Sequence, residues 1–198
     1  MKGNSWLYTD KVKEHFRSPK NILDDEDAYD SDGRGEVGNI ACGDQMLVVI
    51  KVRDDKIEDC KWKTYGCASA IASTSIMSEM VKGMSIKDAY RIKPEDIVGS
   101  LGGLPDHKVH CSVLGDRALR AAIEDYYRRN NLESEIEKIP PRVVCHCKDI
   151  TDQDIEEFVK SGGKTFEELS EKTGLGTVCG GCVEETKELL HSYHHLYG

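Results

Sequence analysis

The chain lacks any apolar run of membrane-spanning length, and its opening, MKGNSWLYTDKVKEHF, contains no uninterrupted apolar stretch of the kind that marks a secretory signal. These two absences predict a cytoplasmic protein with no membrane association. There is also no block of Lys or Arg able to track a phosphate backbone. Acidic residues outnumber basic ones 36 to 27, for a formal charge of −9, which argues against nucleic acid as a partner. Internal repeats and low-complexity tracts are missing as well.

Against that background cysteine stands out. Seven of the 8 cysteines fall into two groups: Cys42-Gly43-Asp44 with Cys67 and His110-Cys111, and Cys145-His146-Cys147 with Cys179-Gly180-Gly181-Cys182. An even count is compatible with a disulfide framework, but in a chain with no signal segment, clustered CxC and CxxC pairs point to metal binding or redox work. Soft thiolates suit zinc or iron–sulfur clusters far better than oxygen ligands do. The eighth, Cys60, alternates with Trp62 along a predicted strand and reads as a small buried hydrophobe.

The groups divide the chain. Residues 1–130 form a domain large enough for its own core, 131–142 (ending in Pro140-Pro141) are a polar linker, and 143–198 are a second module, marginal by size, in which a metal would tie loops together. In the first module an amphipathic helix, Tyr8 to Phe16, is stopped by Pro19 and followed by an acidic loop, Asp24 to Asp32, that is expected to be mobile and leads into a Gly-rich stretch. Runs at 45–53 and 56–65, separated by Asp54-Asp55, have the pattern of an antiparallel hairpin. Apolar residues three and four apart predict a buried helix over 68–82, a shorter helical stretch over 86–97, and a third helix opening at Cys111. In the second module Thr151-x-x-Asp154 and Thr165-x-x-Glu168 resemble capping boxes, and a helix from Cys182 puts Val183, Thr186, Leu190 and Tyr193 on one face.

Cys67 and Cys111 thus fall at predicted helix N-termini, where the macrodipole favours thiolate and promotes both metal ligation and attack on sulfur. Asp44 is the hard, weak member of its group, so a site that includes it should hold its cargo loosely. Read alone, CGD is equally a turn in which Asp44 caps backbone amides. His107, His110 and the His191, His194, His195 cluster, each taken alone, read as solvated surface histidines.

The segments YTDKVKEHF, EVGNIACGD, YGCASAIASTSIM and GLPDHKVHCSVLG resemble, in order and over residues 6 to about 128, the signatures of the NifU/IscU family of iron–sulfur cluster assembly scaffolds. The resemblance implies an α+β fold, a small three-stranded antiparallel sheet packed with helices, in a homodimer. It implies that Cys42, Asp44, Cys67, His110 and Cys111 hold a transient [2Fe–2S] or [4Fe–4S] cluster, iron or zinc. Sulfur would come from a NifS/IscS-type cysteine desulfurase and the cluster would pass to apo iron–sulfur proteins, making the protein a carrier and not an enzyme. Cys111, after the Gly102-Gly103 stretch, is the expected persulfide acceptor. Where chaperone-dependent scaffolds carry Leu-Pro-Pro-Val-Lys, this chain has Leu104-Pro105-Asp106-His107-Lys108, a departure from chaperone docking.

In the second group, CxC and CxxC stand 31 residues apart, a spacing open to one tetrahedral zinc or a [2Fe–2S] cluster with two thiolates on each iron. CHCKDIT and GLGTVCGGCVEE resemble the small helical [2Fe–2S] domain of bacterioferritin-associated ferredoxin, also the middle domain of full-length NifU. That implies a permanent [2Fe–2S] cluster on Cys145, Cys147, Cys179 and Cys182, exchanging electrons with a donor, in a shortened NifU-type chain without the further C-terminal domain. The competing readings are an electron-transfer ferredoxin and a zinc-stabilised interaction module.

Overall fold

A computed structural model describes residues 8–38, 45–104, 113–137 and 141–197, and the chain divides into two units, Met1–Ile136 and Glu137–Gly198. In the first, β2 (Met46–Arg53) and β3 (Lys56–Thr64) form the expected hairpin, and Asp54 and Asp55 turn the chain with φ of 51° and 58°. Two successive positive φ values are what a tight hairpin turn demands, and Asp tolerates them better than most residues. A third strand, β1 (Gly33–Val37), pairs antiparallel with β2, giving the order β1-β2-β3 with Gly35 opposite Val48 and Met46 opposite Thr64.

Residue pattern alone reads the Gly33–Val37 stretch as loop, yet its glycines are what make it a strand here. Helix α5 (Val113–Arg129) lies so close that a Cβ on Gly35 would stand 2.1 Å from the Ala118 carbonyl oxygen, and one on Gly33 2.2 Å from that of Ala122. Only a residue without a side chain permits that approach.

Met46 to Ile50 are buried on both sheet faces. On one, α5 packs on β1 and β2 while α2 (Ala68–Met80) packs on β3. The other is covered by the acidic segment, which the sequence predicts to be mobile but which is tied down. Leu23 and Tyr29 pack against Leu47 and Val49, the Leu23 amide donates to the Trp62 carbonyl at 2.8 Å, and the Trp62 indole donates to the Lys20 carbonyl at 2.8 Å. Tyr29 also donates to Asp59 at 2.8 Å, and burial together with that carboxylate raises its phenol pKa. Two apolar side chains spaced among carboxylates carry the packing, and the charge pattern hides them.

Helix α1 (Asp10–Arg17) is capped by Thr9, which accepts from the Val12 amide at 3.1 Å, and it packs on α2, where the buried His15 ring meets Ser75 Oγ at 2.8 Å. The stretch expected as one helix over 86–97 is two, α3 (Ile86–Tyr90) and α4 (Pro94–Ser100). Pro94 has no N–H to continue the first but suits the first turn of the second, where Asp96 accepts from the Lys93 amide at 3.0 Å. A short 3₁₀ turn, Glu133–Glu135, follows α5. Antiparallel strands with helices packed against them make the class α+β.

The second unit opens with a two-stranded hairpin, β4 (Val143–Cys145) and β5 (Ile150–Thr151), too short to register in sequence pattern. Helices α6 (Asp152–Lys160), α7 (Phe166–Thr173) and α8 (Val183–Tyr197) follow. Both capping boxes form: Thr151 accepts from the Asp154 amide and Thr165 from the Glu168 amide, each at 3.2 Å. Val144, Ile155, Phe158, Val159, Leu169, Leu175, Leu190, Tyr193 and Leu196 make the core, beside the buried Cys145 and Cys182. Among the described residues, no helix is long and apolar enough to cross a membrane.

Candidate metal centres

Four of the five residues of the first group, Cys42, Asp44, His110 and Cys111, lie outside the described residues, as does His107. Cys67 is described: it is the N-cap of α2, half-buried, with φ −71° and ψ 171°, and its carbonyl accepts the Ile71 amide at 3.0 Å. A thiol there faces the positive end of the helix macrodipole. The chain reaches it from β3 through Tyr65, which is 69% exposed, and Gly66, whose amide donates to Thr64 Oγ1 at 3.0 Å. Thr64 Oγ1 in turn donates to the Gln45 carbonyl at 2.7 Å, so the start of β2 and the approach to Cys67 are fastened together. On α5, Gly115 packs against Thr74 of α2. Cys60 is fully buried, and desolvation pushes its thiol up to about 12, so it stays a protonated core residue as expected.

The second group is described completely, and all four thiols are free. They form pairs, each taking one cysteine from either motif. Cys147 Sγ donates to Cys179 Sγ at 3.5 Å, and Cys145 hydrogen-bonds with Cys182. The pairs differ in surroundings: Cys145 and Cys182 are 2% and 6% exposed, whereas Cys147 and Cys179 stand in solvent.

Their acidities follow. Burial works against the Cys145 thiolate, but hydrogen bonds from the Gly176 amide, the Cys182 thiol and the Lys148 and Cys147 amides outweigh it and hold the group below the usual thiol range. Burial and the bond to Cys145 push Cys182 up. The Gly181 amide and then the Cys147 thiol hold Cys179 down, while the bond to Cys179 and then burial raise Cys147. Each pair thus contains one sulfur whose pKa is lowered and one whose pKa is raised, and ligation of a metal takes the protons from both.

The loops that present these sulfurs depend on glycine. Gly174, Gly176 and Gly180 have φ of 72°, 79° and 70°, all in the left-handed region. A Cβ on Gly176 would meet the Phe166 ring at 2.9 Å, and its amide donates to both inner sulfurs. This amide is a contributor that motif spacing misses; the only trace in sequence is the run of glycines before Cys179. Four thiols in two pairs make a fully sulfur donor set of the kind that holds one tetrahedral zinc or a [2Fe–2S] cluster.

Comparison with known proteins bears on both units. Residues 7–134 match the NifU-like N-terminal domain, and residues 143–192 match the BFD-like [2Fe–2S] binding domain. The chain is 48% identical over 142 residues to the iron–sulfur cluster assembly scaffold protein IscU 1 of Archaeoglobus fulgidus, covering 67% of this chain and 91% of that one. It is 39% identical over 191 residues to the nitrogen fixation protein NifU of Trichormus azollae, covering 93% of this chain and 63% of that protein's length. The crystal structure of a nitrogen-fixing NifU-like protein (N-terminal) from Brucella abortus superposes with a TM-score of 0.50 over 61% of this chain and 94% of that one, at 19% identity, a likeness of fold.

Proposed function

The chain belongs to the NifU-like N-terminal domain family, and from that premise we propose that it is an iron–sulfur cluster assembly scaffold with a second, resident [2Fe–2S] centre. The first unit receives sulfur from a cysteine desulfurase, combines it with iron at Cys42, Asp44, Cys67 and Cys111, with His110 beside them, and hands the cluster to apo-proteins. Cys111 takes the sulfane sulfur as a persulfide. Asp44, a hard oxygen among soft sulfurs, keeps that site loose enough to release what it builds. The protein is a carrier and not a turnover catalyst.

The observation that carries this reading is the presence in one chain of a NifU-type unit and of two cross-motif thiol pairs. Cys145 with Cys182 and Cys147 with Cys179 supply two thiolates to each of two irons, a fully sulfur-ligated site that should hold its cluster firmly. When bound, such a cluster supplies one-electron redox chemistry. The residues around it keep the inner pair, Cys145 and Cys182, buried, and neutralise thiolate charge with the Gly176 and Gly181 amides.

The test is anaerobic reconstitution of the full chain with iron, cysteine and a pyridoxal-phosphate cysteine desulfurase, followed by incubation with an apo-ferredoxin. We expect two classes of cluster, one transferred and one retained, with a persulfide on Cys111 by mass spectrometry that Cys111→Ser abolishes. Retained cluster alone would make the protein a ferredoxin. A colourless chain carrying zinc would make it a zinc-stabilised module, and undiminished persulfide in Cys111→Ser would remove that residue from its role.

A further inference from the structure

We propose that Cys147 and Cys179 form an oxidative modification site, closing as a disulfide across the two motifs when the chain is free of metal, in preference to a disulfide within the Cys179-Gly180-Gly181-Cys182 motif. The inference goes beyond cluster binding and holds whichever metal the four sulfurs carry.

Motif reading favours the opposite pairing, since CxxC cysteines commonly bridge one another. Three features of the second unit reverse that expectation. First, Cys179 Sγ already touches Cys147 Sγ at 3.5 Å. A bond of about 2.05 Å then needs an approach of about 1.5 Å. Second, Cys182 is only 6% exposed and hydrogen-bonded to Cys145, and its carbonyl accepts from Thr186 Oγ1 at 2.7 Å in the first turn of α8. Bringing it to Cys179 would mean pulling a helix end out of the core. Third, Cys147 and Cys179 are the exposed pair, so an oxidant in solution reaches them and not the inner two. Gly180, at φ 70° with nothing within 4 Å of a Cβ position, and Gly181 beside it give Cys179 the freedom to close the remaining gap.

The chemistry balances with a peroxide as oxidant. One sulfur attacks a peroxide oxygen, the O–O bond breaks, and a sulfenic acid forms with release of one water. The second sulfur displaces the sulfenic oxygen as a second water, the S–S bond forms, and the two thiol protons leave in those waters. Each sulfur is oxidised by one electron, and the peroxide is reduced by two. A thiol-based reductant reverses the reaction. While the bond lasts, the outer pair cannot ligate metal, and the exposed sulfurs are kept from over-oxidation to sulfinic acid.

The full chain is stripped of metal with a chelator and reductant, desalted anaerobically, treated with one equivalent of hydrogen peroxide, alkylated and digested with trypsin. Cleavage at Arg142, Lys148, Lys172 and Lys187 leaves residues 143–148 and 173–187, each with two cysteines. We expect these two peptides joined through Cys147 and Cys179, with Cys145 and Cys182 alkylated. Metal uptake by the second unit should drop to background and return with dithiothreitol. A dominant bridge within either motif, or both outer thiols alkylated under these conditions, overturns the proposal. Cys147→Ser provides the second arm: it should leave Cys179 trapped as sulfenic acid or alkylated, and rapid formation of a Cys179–Cys182 bond in that variant would show that burial does not protect Cys182. Iron and sulfide content, measured separately, reports on the cluster reading without touching this result.

Discussion

Cys67 stands at the start of a helix buried on most of its surface against β3 and the helices α1, α4 and α5, whereas Cys145, at the end of β4, and Cys147, Cys179 and Cys182, on the turns between short elements, stand over a small apolar core. The first unit has the size and burial to hold its shape by packing alone; the second is about as small as a domain can be without a staple. The difference suits their proposed tasks. A scaffold that gives its cluster away has to remain folded when empty, while a unit that keeps its cluster can let the metal supply part of its folding free energy.

The most demanding way to break this comparison is to remove the metal. In the full chain, stripping iron under anaerobic reducing conditions should leave the second unit folded but speed amide exchange over residues 143–197 by about tenfold or more, with that of β2, β3 and α2 unchanged, because ligation energy in a small metal domain adds to its folding energy. Hydrogen exchange read by mass spectrometry resolves the two units within one sample. Unchanged exchange in α6 and α8 on metal removal would mean that the apolar core suffices by itself, and the contrast between the two units would fall.

A second measurement attacks the other side. Gly35→Ala places a Cβ 2.1 Å from the Ala118 carbonyl oxygen and 2.3 Å from the Ala122 amide nitrogen, and backbone atoms of a packed helix cannot swing aside as a side-chain tip would. We expect a loss of about 3 kcal/mol in the stability of the first unit, since overpacking a tight contact forces strands and helix apart. Denaturant unfolding followed by Trp62 fluorescence measures it, and metal-loaded absorption of the second unit should not change. A loss under about 0.5 kcal/mol would mean that α5 can slide on the sheet.

How much of this was legible beforehand depends on the range of the interaction. The β2–β3 hairpin, α2 and both capping boxes are written in neighbours two to four residues apart, and they stand where the sequence puts them. Strand β1 is not legible because its glycines answer to α5, some eighty residues away, and not to each other. The packed acidic segment is missed for a similar reason: Leu23 and Tyr29 mean little until β2 presents Leu47 and Val49 to them. In the second unit spacing identifies the four cysteines but not their partners, because pairing across the motifs is decided by where α8 and the β4–β5 hairpin meet. Cys67 is legible as a helix start, and the remaining members of the first group fall outside the described residues.

The finest test of the comparison asks whether the second unit's local chemistry matters when metal is present. Thr165 caps α7 by accepting from the Glu168 amide at 3.2 Å, and Glu168 returns the bond by accepting from the Thr165 and Lys164 amides at 3.3 and 2.9 Å. Those amides also hold the Glu168 carboxyl below the usual carboxylate range. Thr165→Ala removes the acceptor for one amide at the start of an eight-residue helix, which costs about 1 kcal/mol in ordinary helices. Helix α7 ends at Gly174, two residues before the amide that donates to both inner sulfurs, so fraying at its start is passed toward the metal loop. In the metal-free chain that cost should appear in full as lost helicity or faster exchange over residues 166–173. With metal bound, the loop beyond Gly174 is pinned by its ligands, and the same substitution should shift the unfolding midpoint of the second unit by much less. Equal shifts in both forms would show that α7 is stabilised independently of the metal loop, and the second unit would then resemble the first more closely than its size suggests.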